Sequence, residues 1–420
     1  MGRLEDLLEL FPDSARVDDG RLSVGGIQGS TLADEFGTPL LVYCRDTLLA
    51  RAHAYLAVEQ DALVVYGTKA FPNVAVMRLL AAEGLGADVS TLGELGFALA
   101  AEIRGDRLVF HGNNKSDEEL RAAVAAGALV VLDSHEEVER AAQAGASTVL
   151  IRITPGIEAA THRAIRTAHA ESKFGLALDD AVETARATLA AGLDLAGFHV
   201  HIGSQLARAE ESLLAVERVV DVAQRCREEL GWSARIFDLG GGLGVRQTLG
   251  DDAPDPAKFA GALVDRLRER WEQPARVILE PGRSLVGPAA CTLYRIGVVK
   301  QTGGVRYAAV DGGMSDNPRP QLYGARYEAL LVDRAAEDAA GPIRIAGKHC
   351  ESGDVLIDGV ELPEPRRGDL LAVPATGAYT LAMASNYNGV PRPAAVLVAD
   401  GRAELIRRRE PVDDLLRLEP

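Results

Sequence analysis

Positive charge and cysteine are both scarce in this chain of 420 residues. Its 45 Lys and Arg residues are outnumbered by 61 Asp and Glu residues, and the formal net charge is −16. This balance argues against a surface for nucleic acid or for anionic membranes. The cysteines are too far apart to form a metal-ligand pattern. They are Cys44, Cys226, Cys291 and Cys350. No metal site is predicted.

Long hydrophobic runs are also missing. No apolar stretch reaches the length that crosses a membrane, and the acidic start, Met1 to Asp6, lacks the apolar core of a secretory signal. A cytoplasmic protein with free thiols is therefore expected. With 47% hydrophobic and 25% charged residues, the chain has the composition of an ordinary globular protein. Its length predicts two or three domains.

Short apolar runs alternate with longer stretches of helical spacing through the first two thirds of the chain. The eight runs are 63–66, 86–89, 108–111, 129–132, 149–153, 195–201, 236–239 and 277–279. This alternation is typical of parallel strands joined by right-handed helical crossovers. Eight such units predict an α/β fold, a TIM-like (β/α)₈ barrel, with a doubly wound open sheet as the alternative.

The pattern changes after about residue 286. Alternating apolar runs separated by Gly and Pro turns predict a second domain made of antiparallel β-strands. These runs are 292–299, 305–311, 343–346, 354–357, 370–373, 395–399 and 403–406. The N-terminal segment is expected to join them. The predicted domains are thus a barrel over 37–285 and a β domain formed by 1–36 together with 286–420.

A barrel predicts that chemistry gathers where its strands end. Ionisable residues or glycines occupy the end of each predicted strand, a clustering that is hard to obtain from core packing alone. They are Lys69, Asp88, His111, Asp133, Arg152, His201, Gly240 to Gly242 and Glu280. These positions are therefore the first candidates for a site.

Lys69 is the most informative of these positions, because only six of the 45 basic residues are lysines. Its stem could pack at the strand end while its ammonium reaches water. Alternatively, a pocket could desolvate its amine, lower the pKa and make it a nucleophile. The stretch around Lys69 alone favours the first interpretation.

Three motifs at later strand ends also have more than one interpretation. Gly240 to Gly242 could form a tight turn or bring backbone N–H groups close to a phosphate. Glu280 could be solvated, pair with Arg283, or hold a proton on a ring nitrogen. His199 and His201 share a face of their strand; they could bind a metal, or an imidazole could stack on a flat cofactor.

Two stretches of the predicted β domain carry further candidates. Cys350 and Glu351 follow His349, and a free cysteine there could simply be a buried apolar residue. Arg319 and Tyr323 lie in a proline-containing stretch, and the planar fork of an arginine suits a carboxylate.

Taken together, these motifs resemble the fold-type III pyridoxal-phosphate decarboxylases from about residue 36 to residue 410. The resemblance is carried by an ordered set of motifs. They are Tyr66-Gly67-Thr68-Lys69-Ala70, His111-Gly112-Asn113-Asn114-Lys115, His201-Ile202-Gly203-Ser204-Gln205, Gly240-Gly241-Gly242, Glu280-Pro281-Gly282-Arg283, Cys350-Glu351-Ser352-Gly353-Asp354 and Gly377-Ala378-Tyr379. The family's architecture, an alanine-racemase-like barrel with a C-terminal β domain, agrees with the prediction from the residues.

The resemblance implies a role for each matching residue around the cofactor, pyridoxal 5′-phosphate. Lys69 would hold it covalently, Glu280 would keep its pyridine nitrogen protonated, and His201 would stack on its ring. The cofactor-binding set would be completed by Asp88, Ser204, Gly241, Gly242, Gly282, Arg283 and Tyr379.

The resemblance also implies how the substrate is held. Arg283, Arg319, Tyr323, Glu351 and Tyr379 would bind it, and Cys350 would return a proton after CO₂ leaves. Family members are usually homodimers with shared active sites, so Cys350 and Glu351 would serve the partner's site and the β domain would contribute to the dimer interface.

The implied reaction is the decarboxylation of meso-2,6-diaminopimelate to L-lysine, the last step of lysine biosynthesis. The set of Arg319, Tyr323 and Cys350-Glu351-Ser352 favours a substrate with an amino-acid group at its far end. The alternatives are a decarboxylase for another amino acid, such as a D-amino acid, ornithine, arginine or carboxynorspermidine, and a non-catalytic homologue. The intact Lys69, Glu280 and Cys350 argue against the last.

Overall fold

The structure, a computed structural model, describes residues 2–157 and 172–420. It divides into two compact units. The β unit comprises Met1–Ala50, Val245–Ala253 and Leu285–Pro420, and the barrel unit comprises Arg51–Gly244 and Pro254–Ser284. Within the described ranges, no helix is long and apolar enough to cross a membrane.

The N-terminal segment begins with short elements. They are α1 (Arg3–Leu8), β1 (Arg16–Asp18), β2 (Arg21–Val24), β3 (Ile27–Gln28), α2 (Gly29–Phe36), β4 (Leu40–Cys44) and α3 (Arg45–Leu56). Strands β1 to β3 form a small antiparallel sheet of their own. Their apolar side chains, together with those of α2, pack into a core of the β unit.

The barrel unit contains eight parallel strands that close on themselves. They are β5 (Leu63–Gly67), β6 (Gly86–Val89), β7 (Leu108–Phe110), β8 (Leu129–Leu132), β9 (Thr148–Ile153), β10 (Asp194–Val200), β11 (Ile236–Asp238) and β12 (Arg276–Leu279). Each pairs with the next, and β12 pairs with β5. The (β/α)₈ prediction is thus confirmed, and the open sheet is excluded.

Helices follow most of these strands, and four of them begin at a capping side chain. They are α4 (Val74–Ala82), α5 (Leu92–Ala100), α6 (Asp117–Ala126), α7 (Glu137–Gln143), α8 (Leu178–Ala190), α9 (Glu210–Leu230), α10 (Pro256–Arg270) and α11 (Arg283–Val286). Asn73, Thr91, Ser116 and Asp255 each accept a hydrogen bond from a backbone N–H of the first turn that follows. Because the eight strands are parallel, their carboxyl ends and the loops after them lie along one rim.

The β unit is built on a mostly antiparallel sheet. Its remaining elements are β13 (Ala290–Thr302), β14 (Val305–Val310), α12 (Arg319–Tyr323), β15 (Leu330–Leu331), β16 (Pro342–Ala346), β17 (Val355–Glu361), β18 (Leu370–Val373), β19 (Ala394–Ala399), β20 (Arg402–Arg407) and α13 (Val412–Leu416). The strand order is β17-β16-β14-β13-β4-β19-β20, and β18 pairs with β13 and β15. Two of the pairs, β14 with β16 and β4 with β19, are parallel.

Two segments lie in a different unit from the one the sequence predicted. The barrel was expected from residue 37, but β4 pairs with β13 and β19 in the centre of the β sheet, with all five of its residues buried. Val245–Ala253 also belongs to the β unit, although it follows the glycine-rich loop directly. Strand pairing partners, which the apolar pattern does not reveal, account for the first difference.

Candidate active site

Lys69 lies in a short 3₁₀ turn directly after β5, at the rim of the barrel. Its Nζ is 3.5 Å from Oδ2 of Asp88, which belongs to β6. The Lys69 side chain is half exposed, whereas the Asp88 side chain is only 5% exposed. The amine is therefore accessible from the rim and has a carboxylate beside it.

Glu280 lies just after β12 and is held by two buried histidines. His111 Nε2 is 2.6 Å from its Oε1, and His199 Nε2 is 3.3 Å from its Oε2. The two imidazoles meet edge to face, with ring centres 4.6 Å apart. His111 thus fixes one oxygen of the carboxylate, and His199 lies close to the other.

Asp238, at the end of β11, forms an electrostatic pair with Glu280. Burial, and then the charge of Glu280, raise the pKa of Asp238 well above its usual value. Burial also raises the pKa of Glu280, but attraction to and hydrogen bonds from His111 and His199 outweigh it and hold that pKa well below its usual range. Asp238 is thus the more readily protonated of the two carboxyl groups, and Glu280 is the more readily ionised. Atoms of these four residues lie within 4.8 Å of one another, a spacing that could also hold a metal ion.

The glycine-rich loop after β11 supports the ring of His201. The N–H of Gly241 lies 3.3 Å from His201 Nδ1, and burial lowers the pKa of His201 well below its usual value, so the ring is neutral. A Cβ at Gly241 would lie 2.1 Å from the Glu280 carbonyl oxygen, and one at Gly242 would lie 2.4 Å from that of Gly203. Only glycine fits such close backbone approaches.

Ser204 and Arg283 meet beside this loop. The Nε and Nη2 atoms of Arg283 donate to Ser204 Oγ at 3.2 and 3.1 Å. Gly282 precedes Arg283, and a Cβ there would lie 3.1 Å from the Gly67 carbonyl oxygen. The rim that carries Lys69 therefore also presents the Ser204 hydroxyl, the Arg283 guanidinium and closely packed backbone at Gly282. Groups of this kind are suited to binding an anion.

A second buried network was assigned no role from the sequence, although Asp133 and Arg152 were among the predicted strand-end residues. Lys115 Nζ donates to Glu137 at 2.9 Å and to the carbonyl of Gly112 at 2.6 Å, and its side chain has no exposed surface. Arg152 lies 3.5 Å from Asp133. Burial lowers the pKa of both Lys115 and Arg152. Lys115 ends the motif that begins at His111, and this motif was the sequence signal that could have indicated the network.

The remaining predicted residues belong to the β unit. Arg319 and Tyr323 lie on α12, and Cys350 and Glu351 lie in the loop between β16 and β17. Gln321 connects the two segments, because its Nε2 donates to the carbonyls of Gly353 and Val355, at 3.0 Å each. The structure therefore places these two segments next to each other.

The loop that carries Cys350 is held from both ends. Asp354 accepts hydrogen bonds from the backbone N–H and from Nδ1 of His349, at 3.0 and 2.6 Å, and from the N–H of Met314. The N–H of Cys350 donates to Asn388 Oδ1 at 2.8 Å, and the Cys350 residue is exposed. Tyr379 lies in a separate turn and has a positive φ of 58°.

Arg319 is unusual because its guanidinium is buried and makes few hydrogen bonds within the described residues. The residue is 3% exposed, and its Nε and Nη1 atoms have no hydrogen-bond partner among the described residues. Its Nη2 donates to Gln247 Oε1 over a long 3.4 Å. A buried cation of this kind calls for an anion.

Comparison with known proteins identifies the class to which this architecture belongs. The model of the pyridoxal-binding domain of pyridoxal-dependent decarboxylases matches residues 45–287. The chain therefore belongs to the pyridoxal-dependent decarboxylase family, and its cofactor is pyridoxal 5′-phosphate. An amine, a ring-nitrogen carboxylate, a flat imidazole and an anion-binding rim are the groups that this cofactor needs.

Within this family, the curated relatives point to one kind of enzyme. The chain is 41% identical to the diaminopimelate decarboxylase of Bacillus subtilis over 98% of each chain. It is 43% identical to that of Mycobacterium tuberculosis, with 99% of this chain and 100% of the relative covered.

Solved structures give the same picture. A diaminopimelate decarboxylase from Helicobacter pylori in complex with L-lysine superposes with a TM-score of 0.87 at 32% identity, covering 93% of this chain and 98% of the other. The enzyme from M. jannaschii, also with L-lysine, has a TM-score of 0.90 at 32% identity, covering 97% and 98%.

Proposed function

We propose that this protein decarboxylates meso-2,6-diaminopimelate to L-lysine and CO₂. The observation that carries the substrate assignment is the buried guanidinium of Arg319, two of whose nitrogens have no hydrogen-bond partner among the described residues. A substrate that keeps a carboxylate at its far end supplies the missing acceptor, since a carboxylate matches the planar fork of arginine. The names of the curated relatives support the same assignment.

The barrel residues would hold the cofactor and keep its ring charged. Lys69 would bond to the aldehyde carbon and give way to the substrate amine, and Ser204, Arg283 and the glycine backbone would bind the phosphate. Ionised Glu280 would hold a proton on the ring nitrogen, since a carboxylate beside a pyridinium stabilises it. When bound, the cofactor supplies a sink for the electron pair released as CO₂ leaves.

The β-unit residues would bind the substrate and supply the final proton. Arg319 and Tyr323 would bind the carboxylate that is retained, and Glu351 would pair with its neighbouring ammonium. The Cys350 thiol would donate a proton to the former α-carbon, a role that its exposure supports.

Measuring CO₂ release from four substrates side by side tests the proposal. We expect rapid release from meso-2,6-diaminopimelate and little from lysine, ornithine or arginine. Equal or faster release from one of the other three would overturn the substrate assignment. The Lys69→Ala variant should release no CO₂ and form no borohydride-stable adduct with the cofactor. An adduct in that variant would overturn the role of Lys69.

We further propose a homodimer in which Cys350 and Glu351 of one chain serve the barrel of the other. The exposed thiol of Cys350 supports this arrangement, as does the family resemblance. Mixing Lys69→Ala and Cys350→Ala proteins should restore up to about a quarter of wild-type activity, because one site in each heterodimer is intact. Heterodimers of verified composition that remain inactive would contradict shared sites.

We also infer that the protein works in the cytoplasm. The free thiols support this location, since Cys44, Cys226 and Cys291 are buried and unpaired and Cys350 is exposed. Fractionation of cells that express the tagged protein tests the inference, and recovery from a secreted fraction would contradict it.

A further inference from the structure

A second buried side chain accompanies Arg319. Gln247 is 5% exposed and lies in the Val245–Ala253 segment, which belongs to the same unit as Arg319. Its Oε1 faces Arg319 Nη2. Its Nε2, like two of the nitrogens of Arg319, has no hydrogen-bond partner in the described part of the chain.

The unused donors of the two residues form one set. Buried N–H groups are nearly always paired in folded proteins, so a group of them at one place indicates a missing acceptor. A carboxylate offers two oxygens with about four acceptor sites and makes its strongest hydrogen bonds with charged donors. One carboxylate could therefore accept from Arg319 and Gln247 together.

The backbone that carries Gln247 is fixed in place. Oδ2 of Asp251 accepts the N–H of Gln247 at 3.1 Å and that of Thr248 at 2.8 Å. Arg319 is held at the start of α12, where its N–H donates to Asn317 Oδ1 at 3.4 Å. Such anchoring presents both side chains in a preformed arrangement and lowers the entropy cost of binding.

We propose that Gln247 is a substrate-binding residue, which donates from Nε2 to the same carboxylate that Arg319 binds while its Oε1 orients the guanidinium. This inference rests on the proposed function, because it assigns a further contact to the retained carboxylate. It makes Gln247 a determinant of specificity for substrates with a carboxylate at the far end. The competing account makes Gln247 only a support for Arg319.

Equilibrium binding to the holoenzyme separates a carboxylate contact from general damage. L-Lysine carries the carboxylate, and 1,5-diaminopentane has the same amines and lacks it. Gln247→Leu should weaken L-lysine binding about tenfold, the loss of one hydrogen bond to a charged group, and change 1,5-diaminopentane binding less than about twofold. The matched control is Gln143→Leu, at an exposed glutamine on α7, which should leave both unchanged.

A double-mutant cycle separates direct contact from support. The values of kcat/KM for meso-2,6-diaminopimelate are measured for wild type, Gln247→Leu, Arg319→Met and the double variant. If Gln247 touches the carboxylate, Gln247→Leu lowers kcat/KM in the Arg319→Met background as well. If it acts only through Arg319, the second substitution has no further effect, which would overturn the proposal.

The outcomes also distinguish this inference from the proposed function. Unchanged L-lysine binding in Gln247→Leu, with impaired binding in Arg319→Met, would overturn the role of Gln247 alone. Equal losses of affinity for L-lysine and 1,5-diaminopentane in Gln247→Leu would also overturn the role of Gln247. A wild-type holoenzyme that releases no CO₂ from meso-2,6-diaminopimelate would overturn the proposed function itself.

Discussion

At the scale of single residues, the barrel rim depends on how protons are distributed among buried acids. Glu280 and Asp238 are both buried, yet the histidines beside Glu280 lower its pKa, whereas burial and the charge of Glu280 raise the pKa of Asp238. The position of the negative charge is thus set by His111 and His199, which the family resemblance did not assign to a role. Under the role proposed for Glu280, a neutral group at this position would leave the ring nitrogen of the cofactor without an anion.

Replacing Glu280 by Gln tests this arrangement. We expect the Glu280→Gln protein to keep its cofactor on Lys69 and to lose about 100-fold or more in CO₂ release, since a pre-positioned charge commonly contributes that much to catalysis. Cofactor absorbance and CO₂ assays measure the two properties. Glu404→Gln, at an exposed position of β20, serves as the control, and near-normal activity in Glu280→Gln would contradict the assigned role.

The environment of Asp316 predicts how the stability of the folded protein depends on pH. It is buried, accepts hydrogen bonds from Tyr294 Oη at 2.5 Å and from the Gly313 N–H at 2.7 Å, and burial raises its pKa from 3.8 to about 7. The folded protein therefore keeps a proton that the unfolded chain loses. Between about pH 4 and pH 7, this group makes the folded state progressively less stable as the pH rises.

The Asp316→Asn variant should lose this dependence. Its free energy of unfolding, relative to that of wild type, should increase between pH 5 and pH 7.5 by about 2.5 kcal/mol. Denaturant titrations of both proteins at pH 5, 6 and 7.5 measure the difference. Two curves that run parallel across this range would show that Asp316 does not titrate as described.

At the scale of elements, the loop between β16 and β17 is held by one ionisable pair. His349 and Asp354 have side chains that are at most 1% exposed, and Asp354 also bonds Met314 in the loop after β14. The pair therefore fixes the segment that carries Cys350 and Glu351 against the segment that leads to Arg319.

Removing the carboxylate should release this loop. Asp354→Ala should cost about 3 kcal/mol in the free energy of unfolding, as for other broken buried pairs, and speed amide exchange over residues 347–353. Hydrogen exchange and denaturant titration measure these effects. The control is Asp358→Ala, which removes an exposed partner of Arg344; equal effects of both variants would contradict the special role of Asp354.

Most strands and helices of the barrel could be predicted from the sequence. Buried parallel strands are continuous apolar runs, and the helices between them have clear periodicity and caps. The strand β15 and the small sheet β1–β3 could not, since elements of two to four residues leave no periodic signal. The pairing of Gln247 with Arg319 was equally inaccessible. The two residues are 72 positions apart, and neither lies in a pattern that links α12 to the segment after the glycine-rich loop.

At the scale of the whole molecule, the boundary between the units has a measurable consequence. A fragment spanning 37–285 carries β4, whose five residues are buried between β13 and β19 in the intact chain. An apolar strand without its partners promotes aggregation. We expect this fragment to be less soluble on expression than a fragment spanning 51–284, which lacks β4.

Soluble yield and light scattering of the two fragments, made under the same conditions, measure the difference. A third fragment over 37–285 with Val42→Lys should recover solubility if the exposed strand is the cause. Equal yields from the fragments over 37–285 and 51–284 would contradict the assignment of residues 37–50 to the β unit.

The central place of β4 has a consequence for the order in which the protein is made. About 245 residues separate Cys44 from Ala290, the first residue of the neighbouring strand β13. At typical rates of translation, the ribosome needs roughly 12 to 50 seconds to synthesise that length. The strand that will occupy the middle of the sheet thus emerges early and waits for both neighbours, so we expect the growing chain to expose an unpaired apolar strand during this interval.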